Sequence, residues 1–348
     1  MRALTVRPDA RNSLELREVP DPTPAPGELL VRTVAIGICG TDFQLIAGDH
    51  GLAPDGEQHL VIGHESLAEV IQVPQGSSFK IGDLVVGVVR RPDPLPCPSC
   101  AAGEWDMCQN GLYTERGIKG RHGYASDLFT LEERFAVAVP PQLRSTGVLL
   151  EPASVVAKAW EQIEHMAKRT PAYKPRSVLV TGAGPIGLLA AMMGVQRGYE
   201  VTVVDHAQGG LKPQLVRELG ASYCGDITQL KVTPEIVIEC TGAGEVIMKI
   251  LQINARNGIV CLTGLSSGQH RAKLAADELG NTLVMENDVV LGSVNANLRH
   301  YQSALAALTA APQGWLERMI ARRVAVARYQ EAFERHSQDV KVVIDWAA

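Results

Sequence analysis

Cys39, in Gly37-Ile38-Cys39-Gly40-Thr41-Asp42, His64-Glu65 after Gly63, and Glu151 ahead of Pro152 offer a thiolate, an imidazole and carboxylates from three separate turns. That mixture suits a catalytic zinc, in which three protein groups hold the ion and a further position is left open. An ion held this way would polarise a substrate oxygen and stabilise it as an alkoxide. Taken singly, His64 reads as a hydrogen-bonded turn histidine and Glu151 as a carboxylate at a helix start. Together, beside a nucleotide-binding motif, they read as one metal site.

That motif is Gly182-Ala183-Gly184-Pro185-Ile186-Gly187, entered from the strand-like Val178-Leu179-Val180-Thr181 and left through the helical Leu188-Leu189-Ala190-Ala191. Gly182 permits the tight turn, Gly184 lets the backbone approach a pyrophosphate and Gly187 lets helix pack on strand, with the helix amino terminus facing the phosphate charge. Asp205 ends the next strand-like run, eighteen residues after Gly187. A carboxylate there bonds the adenosine ribose and repels a 2′-phosphate. The first arginine after it is Arg217, so NAD is favoured and NADP is possible.

A second metal pattern is Cys97-Pro98-Ser99-Cys100 with Cys108 further on. The spacing fits a closed structural zinc, which a loop this poor in apolar residues needs for order. Asp93 is the expected fourth ligand, with Glu104 and Asp106 less well placed. Cys224, Cys240 and Cys261 lie in or beside apolar runs and read as small core residues.

Elements that position these groups follow from the pattern of apolar residues. Up to about residue 152, short apolar runs such as Leu29-Leu30-Val31 and Leu67-Ala68-Glu69-Val70-Ile71 are cut by Gly and Pro, which implies a β-rich half with long loops. From Ala153 to Lys168 the spacing turns helical, and strand-like runs then alternate with helical ones. Five such strands imply a parallel sheet covered on both faces. The division expected is one domain from 1–152 and 305–348, rejoined by a last strand at Val340–Ile344, and a second from 153–304. At 348 residues, either could bury a full core.

Net charge −5 provides no basic field for nucleic acid, and no apolar run reaches the ~20 residues that cross a bilayer. The start, Met1-Arg2-Ala3-Leu4-Thr5-Val6, lacks a signal-like apolar stretch. Cytoplasmic location with reduced thiols is the expectation.

The order Cys39-Gly40-Thr41-Asp42, Gly63-His64-Glu65, Glu151-Pro152, Gly182 to Gly187 resembles the zinc-dependent medium-chain dehydrogenases over nearly the whole chain. Within them it is most similar to the glucose 1-dehydrogenase family, through Gly48-Asp49-His50, Arg90-Arg91-Pro92, Tyr113-Thr114-Glu115-Arg116-Gly117-Ile118 and Gly292-Ser293-Val294-Asn295-Ala296-Asn297. The resemblance implies an α/β chain, with a GroES-like β-rich catalytic domain and a Rossmann doubly wound parallel-sheet domain. It also implies catalytic zinc on Cys39, His64 and Glu151, with Glu65 a fourth ligand or joined through water. Thr41 matches the hydroxyl that touches the reacting oxygen. Glu115, Glu151, Asn295 and Asn297 match the sugar contacts, with Arg90 a weaker one. Gly182, Gly184, Pro185, Ile186, Gly187, Asp205, Thr241, Leu265 and Asn295 match cofactor contacts.

Two departures stand out. Gln44 takes the place of the relay histidine of many alcohol dehydrogenases, so the proton leaves by another route, through Glu65 or His50 and water. Pro94 stands where relatives with a complete lobe carry a fourth cysteine. The implied reaction is oxidation of an aldose, D-glucose at C1 to gluconolactone, by a homodimer or homotetramer. The rivals are a polyol or secondary-alcohol dehydrogenase and, more remotely, a nucleotide-binding protein without turnover.

Overall fold

The computed structural model describes residues 1–266 and 276–346. Two compact units emerge: Met1–Ser154 with Asn295–Thr309 and Ile320–Ala348, and Val155–Val294 with Ala310–Met319. The division read from sequence sent the chain back at 305; here the return to the first unit begins at Asn295, and a short second excursion contains the helix Trp315–Met319.

The first unit is built on a mixed sheet in the order Ala136–Val139, Leu84–Gly87, Glu65–Gln72, Glu28–Ile38, Lys341–Asp345 and Ile320–Ala325. Burial alternates over 28–35 of the strand Glu28–Ile38, with Leu29, Val31, Thr33 and Ala35 inside, the period-2 signature of a strand with one face in the core, and 35–38 are buried throughout. The carboxyl-terminal strand pairs antiparallel with Glu28–Ile38, setting Val342 opposite Ile38. That register brings Lys341 from the far end of the sequence to the edge of the Cys39 turn. Gly37 stands opposite Glu65 on the neighbouring strand, and a Cβ there would collide with Glu65 Oε2. Glycine at 37 therefore makes room for the Glu65 carboxylate.

Six parallel strands form the second unit's sheet, in the order Ser222–Cys224, Glu200–Val204, Ser177–Thr181, Ile236–Glu239, Ile259–Leu262 and Val289–Gly292. This is the doubly wound order 3-2-1-4-5-6, whose reversal lies between Ser177–Thr181 and Ile236–Glu239. Its core includes Leu179, Val237, Ile250 and Val260. Five strands were expected, and six are present among the described residues. The extra one, Ser222–Cys224, has three half-exposed or exposed edge residues and carries too few apolar positions to register as a strand. Helix Leu150–Ala167 starts three residues earlier than its apolar spacing suggested, because Pro152 is compatible with a helix's first turn. Among the described residues, no helix is long and apolar enough to cross a membrane.

Candidate metal, sugar and nucleotide sites

Cys39 is the N-cap of helix Gly40–Ala47 and forms a capping box with Asp42: the Cys39 sulfur faces the Asp42 backbone, and the Cys39 N–H donates to Asp42 Oδ2 at 2.8 Å. The cap fixes the thiolate in place. Asp42 is fully buried, and its other oxygen, Oδ1, lies 3.7 Å from His64 Nδ1. Neither atom has a hydrogen-bond partner. A carboxylate against one imidazole nitrogen orients the ring and leaves the other nitrogen for a metal.

Ligand atoms of Cys39, His64 and Glu65 lie within 4.8 Å of one another. The donor set and its charge fit a zinc ion. Burial would lower the His64 pKa, but the charge of Asp42, followed by the thiol of Cys39 and the charge of Glu151, holds it well above its ordinary value. A site that stabilises positive charge on an imidazole will stabilise a dication in its place. Thr41 Oγ1 sits 4.0 Å from Cys39 Sγ, so the expected hydroxyl is at the thiolate.

Lys341, which the sequence reading missed, is buried and donates to Glu65 Oε1 at 2.7 Å, Oε2 at 2.6 Å and the Ile38 carbonyl at 2.9 Å. Burial alone would push its ammonium pKa down; Glu65, then Cys39, outweigh that and hold it up. Both Glu65 oxygens are thus already paired with a cation. Glu151 does not join the close cluster of ligand atoms, although its charge is felt at His64. Desolvation, with repulsion from Glu65 and Glu115 against the pull of His64 and Lys341, pushes the Glu151 carboxyl up to about 7.

Glu115 and Asn295, 180 residues apart, meet: Asn295 Nδ2 donates to Glu115 Oε1 at 2.8 Å. The same oxygen accepts from Arg90 Nε at 3.1 Å and Nη2 at 3.0 Å, and Arg90 stacks on the Tyr113 ring. Asn295 adopts φ 61°, a left-handed conformation that asparagine tolerates better than most side chains. Asn297 is placed differently from the sugar-contact expectation. Its amide donates to Gly103 O at 2.6 Å and Asp106 Oδ1 at 3.1 Å, so both N–H groups serve the cysteine loop.

In that loop the sulfurs of Cys97, Cys100 and Cys108 come within 4.8 Å of one another. Backbone N–H groups of Gln109 and Cys100 each point at Cys97 Sγ from 3.4 Å and, led by Gln109, lower its thiol pKa to about 6. Burial, chiefly, pushes Cys100 up to about 11. A thiolate already solvated by backbone N–H groups is ready for zinc. The carboxylate of Asp93 does not join the three sulfurs. Its Oδ1 accepts from Leu95 N and its Oδ2 from Asn110 Nδ2, each at 2.8 Å, because the Pro94 turn needs that cap.

In the second unit Gly184 caps helix Pro185–Gln196, with Pro185 and Ile186 opening its first turn and Gly187 buried against Gly182. Asp205 Oδ2 accepts from Ala183 N at 2.7 Å, tying the second strand's end to the glycine turn. Thr241 is exposed, and its hydroxyl hydrogen-bonds the buried Glu239. Leu265 is 68% exposed in the loop after Ile259–Leu262, an apolar side chain left uncovered at the carboxyl end of the sheet.

A family model for the alcohol dehydrogenase GroES-like domain matches residues 25–141, and one for the glucose dehydrogenase C-terminus matches residues 144–346. The chain is 39% identical over 360 residues to glucose 1-dehydrogenase of Methanocella arvoryzae, covering 100% of both. The chain belongs to the glucose 1-dehydrogenase family. Another relative in that family, from Thermoproteus tenax, is 40% identical over 350 residues, with 99% of each chain covered. Among solved structures, the Haloferax mediterranei glucose dehydrogenase in complex with NADP, Zn and gluconolactone superposes with TM-score 0.91 at 32% identity, covering 100% of both chains. The GroES-like and Rossmann architecture is that of this family.

Proposed function

We infer that this chain is a zinc-dependent dehydrogenase that oxidises D-glucose at C1 to D-glucono-1,5-lactone and transfers the hydride to NAD(P)+. The observation that carries the reading is the pairing, within one unit, of a Cys39–His64–Glu65 ligand cluster with a Glu115–Asn295 pair suited to sugar hydroxyls. A metal in that cluster supplies Lewis acidity toward the substrate oxygen. The chain's own groups do the rest. Cys39 and His64 would hold the ion, with Glu65 as the carboxylate in the same cluster and Glu151 the carboxylate that the family resemblance adds. Asp42 keeps the His64 ring in orientation, and Lys341 holds Glu65. Glu115, its Oε1 fixed by Arg90 and Asn295, presents its other oxygen as a rigid acceptor for a ring hydroxyl, the kind of group that rejects analogues lacking it.

Thr41 relays the proton of the reacting hydroxyl, accepting it as its own O–H proton passes outward. With Glu65 engaged by Lys341, the onward path runs through water and the exposed His50. NAD is the favoured acceptor because the Asp205 carboxylate, anchored by Ala183 N and by Ala207 N at 3.0 Å, ends the second strand where a 2′-phosphate would approach. Initial rates on glucose, galactose, xylose and sorbitol with each nucleotide test the reading: glucose is expected to lead, with higher kcat/KM for NAD. Turnover of sorbitol with failure of every aldose would replace it with a polyol dehydrogenase.

Cys97, Cys100 and Cys108 hold a structural zinc, so metal analysis is expected to give two zinc per chain, and Cys100→Ser one. Asp93 reaches a fourth position only by releasing Leu95 and Asn110. Loss of one zinc in Asp93→Ala would identify it as that ligand, and retention would exclude it.

The protein assembles as a homodimer or homotetramer. Among the described residues Val289–Gly292 is one of the two edge strands of the second unit's sheet, with Val290 exposed, and Val284 and Met285 are exposed on the preceding helix. An uncovered apolar edge invites strand addition by a second copy. Sedimentation should give a multiple of the 37.4 kDa chain mass, and a monomer would exclude the assembly. The reduced thiols that both metal sites require suit the cytoplasm.

A further inference from the structure

Glu239 ends the strand Ile236–Glu239 and is completely buried, and among the described residues no cationic side chain pairs with it. A carboxylate taken from water without a counter-charge persists only when hydrogen bonds to its oxygens replace the lost hydration. The donors here come from a strand end and a loop. Thr181 Oγ1 donates to Glu239 Oε1 at 3.2 Å, as do Thr241 N at 2.7 Å and the Thr241 hydroxyl. Gly242 N reaches both oxygens, at 3.1 and 3.0 Å. A second loop hangs on the backbone of the same residue, since the Glu239 carbonyl accepts from Thr263 N at 2.8 Å, Gly264 N at 3.0 Å and Thr263 Oγ1 at 2.7 Å.

These groups lie at the carboxyl ends of the strands Ser177–Thr181, Ile236–Glu239 and Ile259–Leu262, and Thr181 stands opposite Glu239 in the register. The two residues therefore flank the topological switch point, where a doubly wound sheet receives its nucleotide. Packing around the carboxylate is tight: a Cβ on Gly264 would strike Gly242 N and come within 2.7 Å of Glu239 Oε2. Asp205 pins the glycine turn from its other side through Ala183 N.

We propose that Glu239 is the positioning residue of the nucleotide site, its buried carboxylate tying the end of the Ser177–Thr181 strand to the Thr241–Gly242 loop, and its carbonyl holding Thr263 and Gly264, in the arrangement that receives the nicotinamide nucleotide. The inference rests on the nucleotide occupying the carboxyl end of this sheet. Four donor groups converge on Oε1, and one of them, Gly242 N, is shared with Oε2; an amide puts an NH₂ against Gly242 N at that second position and removes the negative charge the other donors solvate. Glu239→Gln keeps the shape and breaks that match.

The test is titration of reduced NAD and reduced NADP, read by nicotinamide fluorescence, together with steady-state kinetics on zinc-loaded enzyme. Glu239→Gln should weaken nucleotide binding about tenfold and raise nucleotide KM in parallel, on the scale of a lost hydrogen bond to a charged group. Glucose KM, zinc content and kcat at saturating nucleotide should stay within about twofold. Thr181→Val, which removes one donor and leaves the carboxylate, should shift nucleotide affinity in the same direction by less, and reads the same contact if Glu239→Gln does not fold. Wild-type nucleotide affinity in the folded variants, or equal loss in glucose KM and nucleotide KM, would overturn the role. Failure of the wild-type chain to bind either nucleotide would instead remove the nucleotide reading itself.

Discussion

His64→Ala should reduce glucose oxidation by about 10³-fold or more and remove one zinc per chain, because it takes away a neutral nitrogen ligand and leaves two anionic groups, Cys39 and Glu65, without the geometry to hold the ion. Folding should be retained, since the strand Glu65–Gln72 is paired on both sides by Glu28–Ile38 and Leu84–Gly87. The partner variant Asp42→Asn separates ligand from orienting group. Its amide keeps the helix cap but presents either a donor or a neutral acceptor to His64 Nδ1, 3.7 Å away. Weakening of zinc affinity by about 10- to 100-fold is the usual scale for such an outer partner. Metal content with activity measured across a zinc titration checks both. Full zinc occupancy in His64→Ala would exclude His64 as a ligand.

Gly187→Ala should abolish nucleotide binding. The added methyl would strike the Gly182 carbonyl oxygen and come to 3.4 Å from Val180 Cγ1. Neither atom can yield easily: the Gly182 backbone is held at φ +89° with its N–H on Val204 O at 2.7 Å. Relief requires the helix Pro185–Gln196 to lift from the strand Ser177–Thr181, and its amino terminus then no longer points at the phosphates. Dissociation constants for reduced nucleotide should rise by about 100-fold or more, at a stability cost of about 3 kcal/mol from overpacking. Gly198→Ala is the control for a surface glycine, since nothing lies within 4 Å of its added Cβ, although its φ of +82° strains it modestly. Nucleotide binding unchanged in Gly187→Ala would contradict the assignment of the turn.

Local chemistry made most of this legible. The glycine turn is contiguous, and the strand before it and helix after it carry their own periodicity, so the second unit could be read from its sequence. Cys39, His64 and Glu65 were visible because ligand types are few and each sits at a turn. Lys341 was not: it is an ordinary lysine in a strand-like run until antiparallel pairing sets Val342 against Ile38 and delivers its ammonium to Glu65. Glu239 stayed hidden for a related reason: the local N–H groups of Thr241 and Gly242 give no sequence signal, and only the sheet order brings Thr181 to its carboxylate. Asn297 shows the opposite limit. Its motif suggested a sugar contact, but its amide is bound to the cysteine loop at Gly103 and Asp106. Asp42 left one usable signal, an acidic residue three positions after the N-cap, which is capping-box spacing.

The most direct measurement follows the hydride. Glucose deuterated at C1 is turned over by the zinc-loaded protein with NAD+ or NADP+, and the products are read by mass spectrometry and proton NMR. Zinc-dependent oxidation at C1 requires the deuterium to appear on the reduced nicotinamide ring, one per gluconolactone formed, and to vanish with a chelator and return with zinc. Reduced nucleotide without the label, or turnover indifferent to zinc removal, would contradict it.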